Sequence, residues 1–126
     1  METFTENARP LAFLLSEANG LLSRDTVTIA AGAGKLEAGT VLGQVTASKK
    51  HVASPNAEVV DIEGAEDAVA VLAYPVDATD ADVEAVVVNT DAEVKEPMLI
   101  FHASVNDATK RNAKLTQLRS VGIKAR

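Results

Sequence analysis

The feature that most constrains this chain is its punctuation. Short runs of β-branched and small apolar residues recur about every ten positions, and Gly, Pro or Asp-rich stretches cut each one off before helical length. Val27 and Ile29 alternate with Thr26 and Thr28, the pattern of a pleated strand with one buried face. Residues 30–39 hold Gly32, Gly34 and Gly39 and open into Thr40-Val-Leu-Gly-Gln-Val-Thr46, which reads as turn, short strand, turn, strand. Residues 69–74 and 83–88 are two further strands, separated by a breaker-rich turn over 75–82, and residues 97–103 read as another short strand. Asn19-Gly20 marks a tight reversal, and the polar residues 48–56 read as an exposed loop or hairpin tip. Helical signals appear only late: Ser104-Val-Asn-Asp107 fits a capping box, and residues 108–118 are good helix formers with bases toward the end, stopping near Gly122. Many short strands and one C-terminal helix predict a mainly β (α+β) fold, a small barrel or tulip, rather than a βαβ sheet.

Length admits one domain with tails. Residues 1–10 mix Thr, Glu, Asn and Arg with one Phe and end in Pro, so they are expected to form a flexible N-terminal arm, leaving 11–126 as a single β-rich domain. The apolar share of 47% is mostly Ala and Val, with 3% aromatic residues and no Trp. A monomer so short of bulky core anchors is marginal, which favours extra burial between subunits. The apolar run at 11–15 is far below the roughly 20 residues that span a bilayer, and no basic segment precedes it, so neither membrane nor signal peptide is expected.

Charge is more informative in its distribution than in its total of −6. That total argues against a protein that neutralises nucleic-acid phosphates. Residues 58–96 carry twelve acids against Lys95 alone, residues 97–126 carry six bases against Asp107, and the first 57 residues balance. Opposed segments of this kind can attract within a chain or across a subunit contact. The plainer reading is two solvated faces, since exposed pairs contribute little.

Four constellations tempt a chemical reading. Gly32-Ala-Gly34-Lys35 looks like the end of a phosphate-binding loop, but Ile29 stands where its first Gly belongs and Leu36 where a Ser or Thr would hold magnesium. Asp80, Asp82 and Glu84 have the alternate spacing of a calcium loop without its Gly or its closing Glu, so a solvated acidic turn competes with weak cation binding. His51 and His102 stand apart from any second His, and the chain has no Cys, which leaves no local metal motif. No Gly-x-Ser-x-Gly turn is present for nucleophilic catalysis. An enzyme is not expected, nor is any cofactor.

Three stretches in order carry a resemblance: Arg9-Pro-Leu-Ala-Phe-Leu-Leu-Ser-Glu-Ala18, Val27-Thr-Ile-Ala-Ala-Gly-Ala-Gly-Lys-Leu-Glu-Ala-Gly-Thr-Val-Leu-Gly43, and Ala70-Val-Leu-Ala-Tyr-Pro-Val-Asp-Ala-Thr79. Together they resemble the head decoration proteins of tailed bacteriophages, the family of phage lambda's decoration protein D. The chain departs from the lambda member in having no tryptophan and no long Ala/Pro/Gly-rich middle. The resemblance implies a mostly β fold, a homotrimer, and the major capsid protein as partner at local three-fold positions on the outside of a phage or prophage head. It further implies assembly in the host cytoplasm and residence in the virion. In the family the N-terminal arm is loose until it orders on the capsid. That implies a capsid-binding arm of Phe4, Arg9, Pro10, Leu11, Phe13 and Leu14, able to add a strand to a neighbouring sheet edge. Read from residues alone, 11–15 could equally be an ordinary first core strand. The competing function is a small carbohydrate-binding or adaptor β-domain, for which the chain offers only Tyr74 and three Phe as a sugar platform.

Overall fold

The computed structural model describes residues 13–17 and 24–126. In chain order the elements are β1 (Leu14–Glu17), β2 (Arg24–Ile29), β3 (Gly34–Leu36), β4 (Val41–Gln44), β5 (His51–Ala53), β6 (Ala68–Leu72), β7 (Val76–Ala78), β8 (Val83–Val88), β9 (Ala92–Val94), α1 (Ala108–Ser120) and β10 (Ile123–Ala125). Strands β2, β5, β4, β6 and β8 close, in that order, into a five-stranded barrel. Every contact in the ring is antiparallel except β2 to β5, a parallel join made only at Ile29 and His51. Outside the ring stand a three-stranded sheet, β1-β9-β10, and the hairpin-like pair of β3 and β7.

Two larger cores result from the two-residue repeat of the strands, beside a small cluster of Val45, Val52 and Ala65. Leu42, Ala70, Leu72, Ala85 and Val87 face into the barrel with Ile29 and Ala78. Their neighbours Val41, Val71 and Val88 face outward, where Phe13, Ala92, Val94, Leu99, Leu118 and Ile123 cover them. The alanine-rich composition acquires a reason here: a five-stranded ring leaves a narrow interior, and three of its seven buried lining residues are Ala. Strands β4 and β6 are therefore covered on both sides, which explains how continuous apolar runs such as 69–74 can be strands at all.

The mainly β fold, the barrel and the single helix are as the strand pattern predicts. Several local expectations are corrected. Residues 97–103 form no strand: Glu96–Met98 is a turn of 3-10 helix, started by Pro97, and only Ile100 makes an isolated bridge to Thr40. The turn over 75–82 contains β7, which pairs with β3. Residues 48–56 are not simply a tip, because β5 lies within them and His51, Ser54 and Pro55 are buried. Asp107, not Ser104, is the N-cap of α1, its carboxylate accepting from the Lys110 N–H at 2.8 Å. Ser104 instead stands in the preceding turn, accepting from the Asn56 N–H at 2.8 Å. The helix ends as expected, with Gly122 in the left-handed region at φ 92°. The Asn19-Gly20 reversal lies outside the described residues.

The loop between β5 and β6 is clamped against the barrel. Ser54 Oγ donates to the Ala65 carbonyl at 2.7 Å, and the Thr46 N–H donates to the Glu63 carbonyl at 2.9 Å. From the far side Lys114, on α1 and only 1% exposed, sends its ammonium to Ser54 Oγ at 3.0 Å, to the Pro55 carbonyl at 2.6 Å and to the Glu66 carbonyl. Burial holds the Lys114 pKa below its ordinary value, partly offset by Asp67 and Glu66.

His51 sits at the thin seam of the ring, its Nδ1 buried and without a hydrogen-bond partner among the described residues. Burial lowers its pKa from 6.5, with Asp25 opposing the shift. As pH falls below about 6.5 the unfolded chain takes up a proton that the folded chain refuses, so stability is lost as the solution is acidified. We expect the urea midpoint to fall between pH 7.5 and 5.5, and His51→Gln to flatten that dependence. An equally steep dependence in the variant would place the titration elsewhere.

Candidate functional site

The described part of the chain begins where the expected arm meets the body. Phe13 is 1% exposed and belongs to the outer core, while Leu14 is half-buried against the same cluster. The Phe13 carbonyl accepts from the Lys95 N–H at 2.6 Å, and β1 continues antiparallel to β9 with an irregularity between Leu14 and Ser16. Phe13 and Leu14 thus pack on the outer core where β1 begins. Phe4, Arg9, Pro10 and Leu11, the other residues expected to bind a capsid, lie outside the described residues.

Among the described residues strand β1 is an edge, since the sheet order β1-β9-β10 gives it one neighbour. An edge presents a row of backbone donors and acceptors to any extended segment alongside. Leu15, on this strand, is 45% exposed. Buried Phe13 therefore lies next to a strand that is an edge among the described residues, a combination that the short apolar run at 11–15 only half disclosed.

The polar constellations resolve into structural roles. Gly32 and Gly34, at φ 90° and 83°, form the turn into β3, and the Gly32 N–H is committed to the Ala78 carbonyl at 2.7 Å. No cradle for a phosphate is left there. Asp82 accepts from Lys50 Nζ at 2.6 Å and from the Ala31 N–H at 2.8 Å, and these contacts lower its pKa. Asp77, held low by the hydroxyl and N–H of Thr79, closes the turn after β7. Among the described residues no group of three or more His, Asp or Glu is gathered to hold a metal ion.

His102 and Ser104 do meet, Nδ1 to Oγ at 2.8 Å, but the same Nδ1 also accepts from the Ser104 N–H at 3.1 Å. The pair shapes the turn before α1, and no carboxylate among the described residues orients the ring. Beside it, a groove of about 800 Å³ runs past Leu36, Val76, Ile100 and Phe101. Tyr74, 39% exposed, lines a separate small hollow with Arg24 and Val86. Among the described residues neither Phe13 nor Phe101 lines this hollow, so Tyr74 has no second ring there to stack a sugar with.

Comparison with known proteins gives the class of this narrow barrel: a structural protein of the bacteriophage head. The family model described as bacteriophage lambda head decoration protein D matches residues 3–123. The chain belongs to this family, whose members sit on the phage capsid as structural decoration. No curated protein matches the chain.

Proposed function

We propose that this chain is a non-enzymatic homotrimer that binds the outer surface of a phage or prophage head, with the major capsid protein as its partner and residues 1–10 as the attaching arm. It assembles onto the shell in the host cytoplasm and stays with the virion. The family match over nearly the whole chain carries the reading. In this account Phe13 and Leu14 anchor the root of the arm in the body, and Phe4, Arg9, Pro10 and Leu11 make the contacts beyond it. Strand addition along the edge of β1 supplies backbone hydrogen bonds where few bulky side chains exist to supply area. Three arms on one rigid trimer convert weak single contacts into tight attachment, because the second and third bind intramolecularly.

Deleting residues 1–10 tests this. Melting temperature and solution mass should stay unchanged, while attachment to capsids, read by co-sedimentation, weakens on the order of 100-fold or more. Loss of the trimer on deletion would make the segment part of the subunit body, and undiminished attachment would move the capsid contact to another surface.

A further inference from the structure

The loop between β5 and β6 is firmly held at its ends yet presents an apolar tip. Gly43, Ser54 and Lys114 clamp its ends, while Val60 is 79% exposed and Val59 44%. Scattered exposed valines are ordinary, but two in sequence on a clamped loop form a small knob. Exposed Glu58, Asp61 and Glu63 surround the knob, and no Lys or Arg occurs between Lys50 and Lys95.

The complementary surface lies on α1. Arg111, Leu115 and Arg119, spaced by four, share one face of the helix. Both arginines are exposed, Leu115 packs on the outer core, and neither guanidinium is in an ion pair among the described residues. The arginine face is flanked by two hollows of about 440 and 460 Å³; Arg111 and the apolar Pro97, Leu99 and Phe101 line the first, and Arg119 lines the second. Glu96 lies in the wall of both. Lys114 and Gln117, which hold the loop and the start of β6, lie about 100° and about 160° around the helix from Leu115. A copy therefore holds its own acidic tip on one side of α1 and shows the arginine face on the other.

We infer that the copies meet head to tail, the Glu58-Val59-Val60-Asp61 tip of one seating against the Arg111, Leu115, Arg119 face of the next. This rests on the trimer reading above. Such a contact is heterologous, so repetition by a three-fold rotation closes a ring and leaves no tip or socket unused. It also gives a function to the separation of charge between residues 58–96 and the C-terminal segment.

The test is solution mass by light scattering at micromolar concentration, with circular dichroism to confirm folding. Wild type should have the threefold mass. Arg111→Glu with Arg119→Glu, and separately Glu58→Arg with Asp61→Arg, should dissociate to folded monomers, association weakening on the order of 100-fold or more. The fourfold variant that reverses both sides should recover the trimer. Asp80→Lys, an exposed acid outside the contact, should change nothing. A monomeric wild type overturns the trimer reading and this contact with it. Trimeric charge-reversed variants overturn the contact alone, and if they also lose capsid attachment the surface belongs to the capsid protein. Failure of the fourfold variant to recover the trimer overturns the pairing of tip with socket.

Discussion

Gly43→Ala should destabilise the protein by about 3 kcal/mol or more, lowering the melting temperature by roughly 10 °C. A Cβ at this position would stand 1.9 Å from the Ala65 carbonyl oxygen and 2.8 Å from the Ala65 Cα, so the obstacle is backbone and not a side chain that can swing aside. Neither partner can retreat cheaply. Gly43 is paired with Val52 on one side and Ala68 on the other inside the barrel, while Ala65 is held by Ser54. Gly32→Ala is the matched control: it sits at φ 90° with nothing within 4 Å of its added Cβ, so it measures backbone strain alone, about 1 kcal/mol. A Gly43→Ala protein that melts no lower than Gly32→Ala would mean that the loop does not cross the barrel at this notch.

Lys114→Met comes next in expected size, at about 3 kcal/mol. Methionine nearly matches the length of the side chain, so packing against α1 survives, but the carbonyls of Pro55 and Glu66 lose the ammonium and remain in a buried site. The urea midpoint at neutral pH should fall with little change in the slope of the transition. The pH dependence gives an independent sign. Folding lowers the Lys114 pKa below 10.5, so between the lowered value and 10.5 the unfolded chain binds more protons, and wild-type stability gains across that window. The Met variant should lack that gain. Unchanged stability at neutral pH would show that the ammonium does not hold the loop.

How far the residues announced this structure follows from the range of the interactions involved. The strands at Val27, Val71 and Val87 were legible because β-branched alternation and breaker residues are local signals, and the helix was legible from composition and from Gly122. Strands β5, β7, β9 and β10 are three residues each, too short for any period to register, and exist only because a neighbour supplies their hydrogen bonds. Residues 97–103 misled because Leu99, Ile100 and Phe101 are apolar for a different reason: they cap the outer core and border the groove without extending a sheet. Lys114 was unreadable as a core residue, since a lysine in a helix looks like any other base until the three acceptors around it are assembled from distant parts of the chain. Gly43 was hidden similarly, because its partner lies in a loop more than twenty residues on. At the expected site, the run at 11–15 admitted both an arm and a core strand; Phe13 is buried in the outer core and β1 begins at Leu14.

The most direct test of the account is binding to heads from the phage or prophage whose genome encodes this chain, purified without the protein. After mixing with increasing amounts of the intact chain and sedimentation, the account predicts saturable co-pelleting in multiples of three copies, with added density on the outer surface at local three-fold positions by electron microscopy. A chain that stays in the supernatant at every concentration, or that saturates at a stoichiometry no three-fold site can accommodate, would contradict it.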